Sequence, residues 1–305
     1  MVKKSKPLLS TFMIFTTLVV VMQLSMPSSR SNAQNSASAP SSTAVAYAAG
    51  TVLKDQHGFD MNYVPSGNFE MGISYETFLQ VCKAQFNFDK DTCLKDIGNL
   101  GAFDPYTAKI TAFWIDRYEV TIQQYQLFQA VCVDAGLCQK INLTSFPELT
   151  DNPQKPQVGV TWFDAMLFCN QRGARLPTEE EWEYAASGPQ KWVFPWGDQL
   201  IRDNAPLFKS TWPVGSIPAN VSWIGAFDMV GDATQWVEDR FKPYPGSTQN
   251  WTENDTIDVS RVVRGGSWDS GYSTLTTFRR DYRNPSDQDK TVGFRCARSS
   301  IPLNP

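Results

Sequence analysis

The chain has 305 residues, enough for one large domain or two small ones. Hydrophobic residues make up 42% and charged residues 19%, a balance that excludes a wholly disordered chain and fits a protein with a sizeable core. The formal net charge of −4 provides no global basic field, which excludes nucleic acid as an electrostatic partner.

The first residues read as an export signal. Lys3, Lys4 and Lys6 form a positive start, and an apolar run extends from Leu8 to about Met26. Ser31-Asn32-Ala33 then offers small residues at both positions a signal peptidase reads, so cleavage is expected before Gln34, with a signal over residues 1–33. Thr16, Thr17 and Gln23 interrupt the run and weaken it as a membrane span; an uncleaved anchor is the alternative, and the only expected membrane contact. The run is not followed by a cysteine, so no lipoprotein anchor is expected. The destination is therefore secreted, periplasmic or otherwise extracytoplasmic. Residues 34–56, rich in Ala, Ser, Thr and Pro at their start, are expected to be a disordered linker, because few large apolar groups offset the ordering entropy. The folded domain is expected over 57–298, with a short tail at 299–305.

Six cysteines, Cys82, Cys93, Cys132, Cys138, Cys169 and Cys296, form an even set that in an exported chain reads as three disulfides. Zinc is a poor reading: no CxxC occurs and the only histidine is His57. Three segments carry a helix start. Thr121 precedes Gln124, Thr161 precedes Asp164 and Thr178 precedes Glu181, each the spacing of a capping box. Trp162, Ala165, Met166 and Cys169 form an apolar stripe after the second cap, and Trp182, Ala185 and Ala186 after the third; Gly173 and Gly188 end these helices. Phe113-Trp114-Ile115 and Arg261-Val262-Val263 read as short strands, the latter stopped by Gly265-Gly266. From Val193 to Asn220 Pro and Gly recur without a long period. The fold class is therefore α+β with much irregular chain.

Several segments together resemble the formylglycine-generating enzyme, or sulfatase-modifying factor, family. They are Tyr63-Val64-Pro65-Ser66-Gly67-Asn68-Phe69-Glu70-Met71-Gly72, Phe113-Trp114-Ile115-Asp116-Arg117-Tyr118-Glu119-Val120-Thr121 and Val160-Thr161-Trp162-Phe163-Asp164-Ala165. Arg175-Leu176-Pro177-Thr178-Glu179-Glu180-Glu181-Trp182-Glu183-Tyr184-Ala185, Pro195-Trp196-Gly197 and Asp228-Met229-Val230-Gly231-Asp232 follow. Arg264-Gly265-Gly266-Ser267-Trp268 and Gly293-Phe294-Arg295-Cys296 close the series. The resemblance implies an irregular C-type-lectin-like fold stabilised by disulfides and calcium. It also implies a Cys169–Cys296 bridge, worth ~4–5 kcal/mol in the chain-entropy model. A second family disulfide would need cysteines at Ala186 and Arg280, and both are absent. The other four cysteines then pair locally, Cys82 with Cys93 and Cys132 with Cys138 being the simplest of three pairings.

The family's oxidases convert a substrate cysteine to formylglycine with oxygen and copper(I), which needs thiolates. Where the resemblance places their two cysteines, this chain has Ser270 and Leu275. Copper is therefore not expected, nor is the family's oxidase mechanism, and Ser270 is expected to be a loop hydroxyl bonded to nearby backbone. With His57 alone, a Ser-His-Asp triad and the three-histidine iron site of the related sulfoxide synthases are unavailable too. Calcium is implied at Asp228, Gly231, Ala233 and Gln235, with Asp and Gln where the family usually has Asn and Glu. A second calcium site at Asn204 and Ala205 is doubtful, because Pro206 to Thr211 contains no acid.

Arg264, Arg279, Arg280, Arg283, Arg295 and Arg298 cluster near the end of the chain. They read either as a clamp for an anion or peptide carboxylate or, better, as structural partners of Glu179, Glu181, Glu183 and Asp281. Trp268 and Tyr272 flank Ser270 and read as the walls of a ligand cleft or as core. Four N-x-S/T sequons occur, at Asn142, Asn220, Asn250 and Asn254. Two functions remain open. One is a secreted recognition domain without catalysis, binding a protein or small molecule outside the cytoplasm. The other is a formylglycine-generating-type oxidoreductase acting on a cysteine of an exported protein such as a sulfatase.

Overall fold

A computed structural model describes residues 47–97, 103–138, 140–141, 143–144, 146–207, 209–247 and 259–300. The export signal, its cleavage site, most of the expected linker, most of the tail and the sequons at Asn142, Asn250 and Asn254 lie outside the described residues. Among the described residues no helix is long and apolar enough to cross a membrane.

The chain enters through two strands, β1 (Val52–Lys54) and β2 (Asp60–Val64). Regular structure thus begins ahead of the expected boundary at His57. The reason is local: β1 pairs antiparallel with β2, and Tyr47 packs on Tyr63 and Trp114 at centroid distances of 5.4 and 5.0 Å. Next come β3 (Gly67–Met71), α1 (Tyr75–Val81) and α2 (Lys90–Ile97). Then follow β4 (Tyr106–Ile110), β5 (Phe113–Asp116) and α3 (Ile122–Asp134). After them stand α4 (Trp162–Gln171), α5 (Glu179–Ser187), β6 (Thr234–Arg240), β7 (Arg261–Arg264), β8 (Arg280–Arg283), β9 (Val292–Phe294) and β10 (Ala297–Arg298). One sheet has the order β1-β2-β5-β10 and another β8-β7-β6-β9, while β3 and β4 form a separate pair. Every ladder is antiparallel except β6–β9.

The three capped helices form where the spacing places them. Thr121 and Thr178 make complete capping boxes with Gln124 and Glu181, and Thr161 caps α4 through the Asp164 amide. Gly173 and Gly188 follow α4 and α5 with positive φ, as helix exits do. Trp162, Ala165, Phe168 and Cys169 are buried; Met166, expected in the same stripe, is only partly so. The larger core packs α5 against β3, β4 and β6 around Trp182 and Ala185. A second core joins α3 and α4 to Trp236 and Phe294.

The three disulfides pair as expected: Cys82–Cys93, Cys132–Cys138 and Cys169–Cys296. Cys169–Cys296 joins α4 to the link between β9 and β10, across 127 residues. The Asn220 side chain is fully buried, and its amide donates to Val230 O at 2.8 Å, so in the folded state that nitrogen is no glycan acceptor.

Buried ion pairs hold the elements in register. Arg172, at the end of α4, bonds Asp116 through Nη1 at 2.7 Å and Asp55 through Nη2 at 2.8 Å, and lies 3.4 Å over the Phe59 ring. Burial opposes ionisation of Asp55. The Arg172 guanidinium and the amides of Phe59 and His57 outweigh it and hold the carboxyl below its usual range. A depressed carboxyl stabilises the fold above its unfolded pKa, and that stability is lost as pH falls through the folded pKa. Asp55→Asn is therefore expected to be less stable than wild type at neutral pH, with the gap narrowing from about pH 5 to about pH 3, read from urea midpoints across that range.

Candidate functional site

Strand β7 ends at Arg264, and Gly265 and Gly266 turn the chain with φ of +96° and +65°. A Cβ at Gly265 would stand 2.5 Å from Met229 O, so only glycine permits this close approach. The loop that follows forms one wall of a cleft of about 300 Å³. Its lining is polar: the hydroxyls of Thr234, Ser267, Ser270, Thr274 and Thr291, and charges of both signs. Arg283 bonds Asp289 at 3.0 Å and Asp281 at 3.1 Å, and Lys290 stands 3.7 Å from Asp269 and 5.0 Å over the Trp268 ring. The Arg283 guanidinium and the Thr291 amide and hydroxyl keep Asp289 below its usual pKa against burial, so this pair is ionised at neutral pH.

Of the three residues expected around one cleft, only Ser270 lines it. Its hydroxyl accepts from Ser267 N at 2.9 Å and lies 3.2 Å from Ser267 Oγ, the local backbone bond expected of a loop serine. Trp268 is turned into a cluster with Trp212, Leu149 and Ala233. Tyr272 packs on the large core with Arg202 4.8 Å above its ring. Both are placed by the bulk of their rings, which finds more contact in the core than over a polar cleft. Leu275 is 1% exposed and belongs to the large core. His57 stands away at the chain's entry, its ring 3.1 Å from the Gln56 amide. Arg283, Asp289, Lys290 and Thr291 were not distinguished as a group in the sequence, since they come from β8 and the turn before β9 and follow no local spacing.

The arginine cluster is chiefly structural. Arg264 pairs with Glu179 at 2.7 Å and with Glu183, and Arg280 pairs with Glu179 at 2.8 Å. Arg298 lies 3.8 Å from Asp55 and donates to the carbonyls of Arg172 and Gly173. Glu181 pairs with Arg175 rather than with an arginine of the cluster, because it reaches back over its own helix cap. Arg279 and Arg283 line the cleft.

Behind the cleft lies a buried polar centre. Arg295, fully buried, uses all five of its N–H groups: on Gln235 Oε1 at 2.8 Å and on the carbonyls of Asp116, Arg117, Phe227 and Asp228 at 2.7–3.4 Å. Around it stand the buried acids Glu119, Asp228 and Asp232. Burial raises Asp228 to about 6, although the Gly215 amide, Trp212 and Arg295 oppose the shift. Burial also raises Glu119 and Asp232, each further raised by acidic neighbours.

Neither implied metal fits the residues present. All six cysteines are in disulfides, so none supplies the thiolate copper(I) needs. At the expected calcium site, the Asp228 carboxylate accepts from Gly215 N at 2.6 Å and Trp212 Nε1 at 3.3 Å. Gln235 Oε1 is taken by Trp182 Nε1 and Arg295 Nε, and its Nε2 faces Asp228 O. Both side chains of the expected set are thus already bonded within the protein, and Gln235 presents no free oxygen to a cation. Among the described residues no group of three or more His, Cys, Asp or Glu side chains is placed to hold a metal. Asn204 ends a short 3-10 turn, and Ala205 packs in the large core.

The two positions where the resemblance places the family's cysteines are expected to differ in their sensitivity to truncation. Leu275→Ala is expected to cost about 2–5 kcal/mol, as a core cavity does, and Ser270→Ala about 1 kcal/mol or less, read from urea unfolding.

Comparison with known proteins agrees with this geometry. The family model described as Sulfatase-modifying factor enzyme 1-like domain matches residues 49–300. The chain is 38% identical to the serine/threonine-protein kinase pkn1 of Chlamydia caviae over 149 residues, 47% of this chain and 24% of that protein. It is 30% identical to the formylglycine-generating enzyme of Mycobacterium tuberculosis over 197 residues, 54% of this chain and 64% of that enzyme. It thus spans about a quarter of the first relative and less than two thirds of the second. The solved structure of PvdO from Pseudomonas aeruginosa superposes with a TM-score of 0.63 over 83% of this chain and 99% of that one, at 23% identity, which shows a shared fold. With few helices, short strands, three disulfides and a family match over nearly the whole described chain, this protein belongs to the sulfatase-modifying factor enzyme 1-like family and has its C-type-lectin-like fold.

Proposed function

We propose that this chain is a non-catalytic recognition domain of the family, acting outside the cytoplasm and offering the cleft beside Ser270 to a protein or small-molecule ligand. The observation that carries this reading is the chemistry of the cleft: hydroxyls, Arg283 held between Asp281 and Asp289, and no thiol. Such a lining makes hydrogen bonds in fixed directions but holds neither a soft metal nor a nucleophile with an adjacent base. The balance of three basic and three acidic side chains favours a polar ligand of low net charge over a polyanion. Three disulfides support an oxidising compartment. Lectin-like scaffolds keep the frame and place function on loops, so membership of an enzyme family does not by itself carry the enzyme's activity.

The oxidoreductase reading is the outcome that would displace this one. The chain, supplied with copper(I), oxygen and a peptide containing Cys-x-Pro-x-Arg, is expected to leave the peptide cysteine unchanged by mass spectrometry, beside a two-cysteine relative that converts it. An aldehyde product from this chain would establish catalysis and end the recognition reading.

A further inference from the structure

Gln235 has no hydrogen-bonding position left over. It is fully buried; its Oε1 accepts from Trp182 Nε1 and Arg295 Nε, both at 2.8 Å, and its Nε2 donates to Asp228 O at 2.8 Å and Glu119 Oε1 at 3.0 Å. A primary amide has two lone pairs and two N–H groups, so the set is complete. Its orientation is fixed by its partners. The indole and guanidinium are donors only and demand the oxygen, while a carbonyl demands the nitrogen. On its nitrogen side, then, Gln235 holds a carbonyl oxygen and a carboxylate oxygen in a buried place. Two such oxygens are held together by hydrogen donors or by a cation.

We propose that the Gln235 side-chain amide stands in for the calcium ion that the family resemblance implies at this turn, so that this protein folds and stays folded without calcium. The substitution Gln235→Glu reverses the arrangement. One carboxylate oxygen keeps Trp182 and Arg295, but the other turns a third oxygen toward Asp228 O and Glu119, without the two amide hydrogens that hold them in the wild type. Three oxygens around one buried point, two of them from carboxylates, repel until a cation of calcium's hardness occupies it. A single atom, nitrogen or oxygen at the same place on the side chain, thus decides whether this turn is closed by hydrogen bonds or by a metal. The inference does not rest on the recognition reading, since it concerns the frame and not the cleft.

The test is thermal unfolding of the full chain, wild type and Q235E, in EDTA and in millimolar calcium, with metal content measured after dialysis. The wild type is expected to carry no stoichiometric calcium and to unfold at the same temperature in both conditions. Q235E is expected to unfold at a lower temperature than wild type in EDTA and to rise by roughly 5–10 °C in calcium. Wild type that retains one calcium per chain or loses stability in EDTA overturns the proposal, and so does a folded Q235E indifferent to calcium. Should Q235E fail to fold in either condition, the wild type decides alone: calcium-free and indifferent to EDTA sustains the proposal, and any calcium dependence overturns it.

Discussion

The structure depends first on a buried positive charge that forms no close ion pair among the described residues. Arg295 stands between β9 and β10, and its guanidinium gathers carbonyls from the end of β5, from the turn at Phe227 and Asp228, and the amide of Gln235 on β6. Removing a guanidinium from water is costly, and carbonyl dipoles compensate only if every N–H finds one. All five do, and Glu119, Asp228 and Asp232 add their field. Burial lowers the Arg295 pKa from its usual value, against the acids that raise it. One cation thereby ties together carbonyls from separate stretches of strand and irregular chain. Arg264 and Arg280 do related work at α5, where Glu179 and Glu183 would otherwise be buried charges without partners.

What was legible in the sequence was what is local. A threonine three residues before Gln124, Asp164 or Glu181 is a physical cap whatever surrounds it, and all three helices begin there. The helices at Tyr75–Val81 and Lys90–Ile97 were not distinguished because, at 7 and 8 residues, they are too short to establish a helical period; they are held by the Cys82–Cys93 bridge and a small aromatic cluster around Phe78. The entry strand was missed because Val52–Lys54 is too short to carry a period, and its partner and the Tyr63–Trp114 surface are known only from the fold.

The site divides along the same line. That Ser270 would be tied to local backbone followed from its being a loop hydroxyl, and the bond to Ser267 N is local. Where Trp268 and Tyr272 point did not follow, since an aromatic beside a cleft and one beneath it look alike in sequence. The fate of Gln235 depends on Trp182, Arg295 and Glu119, which come from three other parts of the chain. Ligand chemistry can be read from residue types, but coordination depends on what those residues are already bonded to.

Strands β9 and β10, the last among the described residues, link the two four-stranded sheets: β9 completes the one containing β6, and β10 completes the one containing β5. Cys296, which closes the longest disulfide, and Arg295 lie between them. A chain made from its N-terminus can form helices and hairpins on the way. It cannot join its sheets, bury its central cation or close that bridge until roughly the last ten residues of the domain have emerged. Completion of the fold therefore waits on the last two strands of the domain. A product cut short before Thr291 would leave the β10 side of β5 and the β9 side of β6 unpaired and Cys169 without its partner.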